Sequence, residues 1–403
     1  MKPLEPPVAG DIASPHSRQA KRQLVVLAIA LVLSMSTWFS TAAVAGPLSE
    51  AWQLSTSELA WLVITVQLGF VVGAIVITVV GVADRFGPRR LVLVGAVSAA
   101  AANATLTLVS SLQPALIARF ATGAALAAVY PPAMKAMSSW YRHGRGLALG
   151  VMVGALTVGS ALPHLINGLG GLPWRATLAV ASATTVLGGL ITELVVRDGP
   201  YSSAPTRVAM THIGQIVANR GFLLACAGYF GHMWELYAMW AWIAAFYGDV
   251  LGSTRAASFA AFAAIGIGGL GSIYVGTLSD STTRPRAAAL ALRWSGATAV
   301  VIGFLIDAPP AVTILLGLFW GFWVVADSAQ FSTIVTEVIE PRLIGTALTL
   351  QLALGFVLTV FTIFLVPIVR DAAGWGFAFL MLAPGPALGA LAMWRLEARP
   401  ETG

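Results

Sequence analysis

Twelve apolar runs, most of them 20 residues or longer, decide what this chain can fold into. They lie at 23–45, 59–81, 90–110, 113–137, 147–169, 175–195, 221–246, 256–278, 287–306, 311–335, 345–369 and 375–394. A helix of about 20 residues crosses a hydrocarbon core of about 30 Å. Lipid offers the backbone no hydrogen bonds, so a run of this kind closes its own as a helix. The sequence therefore predicts an all-α polytopic membrane protein of twelve transmembrane helices. Composition agrees, with 58% of 403 residues hydrophobic and 10% charged, where soluble domains carry about 25% charged residues. Lys21 and Arg22 precede the first run, and Ala43-Val44-Ala45 resembles a signal-peptidase site. That run is too long for a signal segment and its loss would leave an odd number of helices, so it is read as retained.

Basic residues resist translocation and mark the cytoplasmic side. With the N-terminus inside, all but four of the 23 basic residues fall in or beside cytoplasmic segments. Arg175, Arg255 and Arg370 lie outside, and Arg119 lies within a helix. The net charge of +6 is then a topology signal, and no nucleic-acid partner is expected. Cys226 is the chain's one cysteine and sits in an apolar run, so neither a disulfide nor a thiolate metal site is expected. No cofactor or metal motif is found.

The chain reads as two copies of one unit. GVADRFGPRR after the second run has a counterpart in GTLSDSTTRPR after the eighth, with Asp84 and Asp280 196 positions apart. Gly146-Leu147-Ala148-Leu149 is matched 199 positions later by Gly345-Thr346-Ala347-Leu348. Two matches at nearly one offset indicate a duplicated six-helix bundle. The expected organisation is a cytoplasmic tail at 1–22, a six-helix bundle at 23–196, a cytoplasmic linker at 197–220, a second bundle at 221–394 and a tail at 395–403.

Six plus six helices around a central linker, with Asp84-Arg85-x-Gly87-x-Arg89-Arg90 after the second helix, resemble the major facilitator superfamily of secondary transporters. The loop motif departs from the family pattern at Val80, Val82 and Pro88, while the second copy keeps Gly276, Leu278 and Asp280. Arg119-x-x-x-Gly123 in helix four is similar to a further family signature. The resemblance implies a monomer working by alternating access, with Asp84, Arg85, Gly87, Arg89, Arg90 and Asp280 as a cytoplasmic gate. Gly87 would allow a tight turn there. The basic residues serve equally well as topology anchors. In helix five, Gly150 and Gly154 share a face and read as a close-packing stripe. Gly159 lies on another face with Pro163, and the pair matches the family's antiporter signature only weakly.

The run 221–246 is unusual in carrying His232 and Glu235. At about 100° per residue, Gly228, His232, Glu235, Met239, Trp242 and Phe246 fall on one face within about 80°. A charge at the bilayer centre costs about 2.5–3.5 kcal/mol on insertion scales, so it normally faces protein or a watery path. The resemblance implies a central cavity lined chiefly by helices one, four, seven and ten. Helix four carries Arg119 and Tyr130, helix ten carries Asp327 and Gln330, and helix one carries Trp38 among several hydroxyls. Glu235, Asp327, His232 and Arg119 are thus candidates for proton coupling or solute binding, and Trp38, Tyr130, Trp242, Gln330 and Gln67 for the cavity wall. A static buried pair, such as Glu235 with His232 or Arg119, is the competing reading. No nucleophile elbow, Walker loop or paired-histidine motif speaks for an enzyme. The expected partners are a small-molecule solute, protons and the lipid of a bacterial inner membrane. Proton-driven efflux of a small organic compound is favoured slightly over uptake of a small anion.

Overall fold

The computed structural model describes residues 15–81, 86–141, 145–170, 172–201 and 213–398. Twelve helical spans are found among them. The first six are span 1 (Pro15–Ser34 and Ser40–Ala43), span 2 (Thr56–Val80), span 3 (Pro88–Ala104), span 4 (Leu112–Leu126 and Tyr130–Ser138), span 5 (Arg145–Gly170) and span 6 (Trp174–Val195). A short helix, Ile213–Ala218, precedes the second six. These are span 7 (Arg220–Leu251), span 8 (Thr254–Gly266 and Gly268–Ser281), span 9 (Arg284–Val301) and span 10 (Pro310–Val324 and Ser328–Val338). The segment Ile344–Leu380 is one run interrupted at Gly374, whose φ of 81° turns the chain from span 11 into span 12. Span 12 ends with Pro384–Glu397.

Length and hydropathy alone select nine helical segments among the described residues, the last of which holds spans 11 and 12 together. Spans 1 and 7 are the two that fail. Span 1 begins at Pro15, earlier than its apolar run, and so includes Arg18, Lys21 and Arg22. Span 7 carries His232 and Glu235.

The breaks have local causes. In span 4 the helix stops at Leu126 and restarts at Tyr130, just before Pro131-Pro132, whose rings exclude a continuous helix. Span 1 opens between Ser34 and Ser40, and span 10 between Val324 and Ser328. Glycine sets the closest approaches. A Cβ on Gly123 would stand 2.0 Å from the Val66 carbonyl oxygen, and one on Gly69 2.0 Å from that of Phe120. Spans 2 and 4 therefore touch backbone to backbone. The two bundles meet in the same manner: Gly150 of span 5 lies against Ser272 of span 8, and Gly154 against Gly269. Gly159 packs instead on Val32 and Met35 of span 1, inside its own bundle.

Gly87 differs from what the loop motif suggests. Its φ of −58° is open to any residue, and nothing lies within 4 Å of the position its Cβ would take. These two glycines give a paired test. Gly123→Ala drives a methyl into a backbone carbonyl and is expected to lower the stability of the purified protein by about 1–3 kcal/mol, the range for overpacking, whereas Gly87→Ala leaves it unchanged. Thermal unfolding in detergent, followed by tryptophan fluorescence, measures both. Equal midpoints for the two variants would contradict the packing described for spans 2 and 4.

Candidate functional site

Between the bundles lies a cavity of about 670 Å³. Its walls come from spans 1, 2, 4 and 5 on one side and spans 7, 9, 10 and 11 on the other, span 9 through Arg284 alone, so four more helices contribute than the sequence suggested. The mouth carries Thr78, Ser138, Thr336, Glu337 and Leu348. All five stand where the spans approach the linker between the bundles, so the cavity opens at that end. At the opposite end an aromatic roof closes it. Trp38 and Phe70 of the first bundle meet Tyr237 and Phe356 of the second, with ring centroids 4.9–6.1 Å apart across the bundles. Aromatic pairs at these separations add about 0.5–1.5 kcal/mol each beyond area burial. Beyond the roof Phe39 packs on Trp240, and Trp61 on Phe364. Asn167 of span 5 donates to Ser258 of span 8 at 2.9 Å.

His232 faces this cavity, and its Nδ1 lies 2.8 Å from Oδ1 of Asp327 directly behind it. Both side chains are 1% exposed. Asp327 is the residue on which span 10 restarts after its break, which explains how a mid-membrane carboxylate comes to point at span 7. Tyr229 stacks on the His232 ring at 6.2 Å, and Phe331 leans on it at 5.5 Å.

Glu235 belongs elsewhere. Trp320 Nε1 donates to its Oε1 at 2.6 Å, and Ser295 Oγ donates to its Oε2 at 2.8 Å. Its partners thus lie in spans 9 and 10, and neither is the His232 or Arg119 named as its partner in a static buried pair. Arg119 is fully buried in the first bundle. Its Nε donates to the Leu62 carbonyl, its Nη1 to the Thr37 carbonyl, Ser40 Oγ and Asn103 Oδ1, and its Nη2 to the Trp38 carbonyl. The Thr37 and Trp38 carbonyls lie at the break in span 1, where helix hydrogen bonds are lost and a cation is favoured.

The two arrangements are counterparts. Arg119, Asn103 and Thr37 sit on spans 4, 3 and 1; Trp320, Ser295 and Glu235 sit on spans 10, 9 and 7, about 200 positions later in each case. Each bundle ties its first, third and fourth helices with a buried polar knot, built around a cation in one copy and a carboxylate in the other. Both knots lie outside the cavity.

Other candidates divide similarly. Trp38 and Tyr130 line the cavity. Trp242 does not: its Nε1 donates to the Ile363 carbonyl within the second bundle. Gln330 does not line it either, and accepts from Arg284 at 3.4 Å. Gln67 is fully buried away from the wall, and among the described residues its amide finds no partner. The sequence reading missed Arg284 and Glu337, an ion pair 2.6 Å apart at the mouth; each sits at a helix end, where charge is ordinary and carries no signal. It also missed Tyr229, Tyr237, Phe70 and Phe356, which look like any other apolar-run residues in sequence.

Of the gate candidates, Asp84 and Arg85 lie outside the described residues. Arg89 donates to the Val196 carbonyl at 2.8 Å, at the end of its own bundle, and pairs with Asp198 at 3.6 Å, at the start of the linker. Arg90 is exposed. Asp280 does reach across: a Cβ on Gly146 would lie 2.5 Å from its Oδ1. Its carboxylate therefore covers the first turn of span 5, where free N–H groups favour an anion.

A pair of helical bundles enclosing a cavity that opens at one end only is the build of a secondary transporter. The sequence pattern of the Major Facilitator Superfamily matches residues 26–361, and the chain belongs to that family. Over 189 residues it is 27% identical to the fujikurins efflux protein of Gibberella fujikuroi. That match covers 45% of this chain and 39% of the relative, so the chain spans about two fifths of the curated relative's length. The fold is that of the proton:xylose symporter XylE bound to 6-bromo-6-deoxy-D-glucose, with a TM-score of 0.74, 14% identity and coverage of 94% of this chain and 96% of the other. The partially occluded inward-open form of XylE from E. coli gives 0.74 at 15% identity over 94% and 98%. A bacterial homologue of the human lysosomal transporter Spinster, inward-facing and occupied, gives 0.68 at 16% identity over 96% and 97%.

The knot around Glu235 yields a prediction. In Glu235→Gln one of the two donors, Trp320 N–H or Ser295 O–H, meets an amide NH₂ in place of an acceptor. An unsatisfied buried group costs about 1–3 kcal/mol. The expected result is a lower melting temperature with pH-dependent transport retained. Loss of pH dependence at unchanged stability would return Glu235 to the coupling role.

Proposed function

We propose that this transporter exports a small, largely apolar organic compound in exchange for protons, with the linker end facing the cytoplasm of a bacterial cell. The observation that carries the proposal is the aromatic-roofed cavity, open toward the linker, with His232 in its wall and Asp327 directly behind it. Retention of basic residues on the linker side supports the orientation. The name of the fujikurins efflux protein supports the direction, and that of the proton:xylose symporter supports protons as the driving ion.

The lining suggests the kind of solute. Trp38, Phe70, Tyr237 and Phe356 offer apolar faces, and pockets of this size usually bind by apolar contact, with a few polar groups setting orientation. Trp38 Nε1 and Gln351 Nε2 are N–H donors with no partner among the described residues, and His232 Nε2 is also unpartnered. A solute carrying a carbonyl or carboxylate would satisfy them. Seated against His232, such a solute shuts the path from the mouth to Asp327, so proton and solute load alternately, which is antiport. The alternative, uptake of a small anion, keeps His232 and the Arg284 at the mouth in its favour. It loses Arg119, whose donors are all engaged by the protein.

Asp327→Asn preserves size and fixes the group as neutral. In proteoliposomes carrying a pH gradient, the variant is expected to lose uphill solute movement while keeping downhill exchange. Full pH-driven accumulation by Asp327→Asn would exclude this pair from coupling, and uphill movement after every ion and counter-solute gradient is collapsed would exclude secondary transport. A thermal-shift screen against apolar carboxylates, neutral drugs and small inorganic anions identifies the solute class, since a ligand of the native state raises its stability.

A further inference from the structure

A second recess, of about 430 Å³, lies on the outer surface of the second bundle at the linker end. Span 8 contributes Leu278, the turn after it Thr282, span 9 Arg286, Leu290 and Arg293, and span 12 Trp394 and Glu397. It is separate from the solute cavity and independent of the transport reading.

Its charge is out of place for its depth. Arg293 is nine residues into span 9, about 14 Å along the helix at 1.5 Å per residue, yet it is exposed on the bundle's outer surface. Lipid-facing arginine within a span is costly unless it finds an anion or reaches the interface. Among the described residues no carboxylate lies within ion-pair distance of it. The nearest acid in the recess, Glu397, is taken: Arg286 pairs with it at 2.8 Å, and Thr283 donates a hydroxyl to it. Arg286 and Arg293, seven residues apart, share a helix face, and helical side chains lean toward the N-terminus, here the linker end. The Arg293 guanidinium is thus directed back toward the recess and toward headgroup depth. Trp394, 59% exposed on the opposite wall, is the residue type that settles at that level.

We propose that this recess holds the headgroup phosphodiester of an anionic glycerophospholipid, with Arg293 as its principal cation, Arg286 beside it, and Trp394 against the glycerol region. Charge complementarity and position argue for lipid: the unpaired cation faces the bilayer, where a phosphodiester is the abundant anion.

The test uses the full-length protein, purified in detergent, delipidated and offered phosphatidylglycerol or phosphatidylcholine, with bound lipid counted by native mass spectrometry. The wild type should retain phosphatidylglycerol in preference to phosphatidylcholine. Arg293→Gln should lower phosphatidylglycerol retention about five-fold, the effect of one basic residue near a charged membrane surface, while Arg293→Lys keeps most of it. Arg293 is exposed, so the melting temperature should stay constant. If Arg293→Gln does unfold the protein, Trp394→Ala provides the same readout from the opposite wall. Equal retention by the wild type and both variants would overturn the proposal. Displacement of the lipid by inorganic phosphate at equal concentration would also overturn it, by making the occupant a soluble phosphate.

Discussion

Inside a bilayer a broken helix has no water to satisfy its freed carbonyls, and this constraint shapes the molecule more than any other. Span 1 breaks between Ser34 and Ser40. The carbonyls of Thr37 and Trp38 at that break are taken by Arg119, which also holds Leu62, Ser40 and Asn103. Asn103 in turn donates to the Leu178 carbonyl and to Ser182 Oγ. One side chain therefore links spans 1 to 4 directly and span 6 through its partner. A neutral residue there would strand several buried acceptors at once, each worth about 1–3 kcal/mol. The guanidinium is suited to this because it carries five donors and stays charged.

The second bundle ties the corresponding helices with the opposite charge. Span 7 runs unbroken from Arg220 to Leu251, so it frees no carbonyls at the corresponding point. It places the Glu235 carboxylate there, held by Trp320 and Ser295. Both knots make each bundle a unit, and the contact between bundles is of a different kind. Spans 5 and 8 meet over glycines and the roof is a set of rings, surfaces that can part without leaving a buried charge unpaired. Bodies tied internally by polar knots and touching through backbone and aromatic faces can rock against each other. Two polar crossings stand out: Asn167 with Ser258 at the roofed end, and Asp280 over the first turn of span 5 at the open end.

Much of this was legible in the sequence. Apolar run length placed the spans, because the bilayer fixes that length, and the matched motifs exposed the duplication. What helical periodicity could not do was separate His232 from Glu235. They are three residues apart, about 60° round the helix, and that angle is enough to send one to the cavity and the other into the bundle. Which neighbour fills each direction is decided by spans 9 and 10, far away in sequence. Trp242 and Gln330 were misplaced for the same reason. Arg119 was visible as an intramembrane charge, but its role depends on a break in span 1 that no proline or glycine announces within Ser34–Ser40.

The break in span 10 has a different outcome from that in span 1. Arg119 meets the broken span 1 with a charge that no physiological pH removes. Asp327, at the restart of span 10, meets His232, a residue of the cavity wall. The permanent cation lies behind the wall, where its loss would unpick the bundle. His232 lies at the wall, with Asp327 directly behind it. Duplication supplied two copies of one scaffold, but the breaks differ in place: span 1 breaks where its counterpart span 7 is continuous, and span 10 breaks as its counterpart span 4 does. Under the proposed antiport, the second bundle, which carries His232 and Asp327, is the half in which solute occupancy and bundle movement are coupled, since coupling requires a group whose free energy differs between the two states.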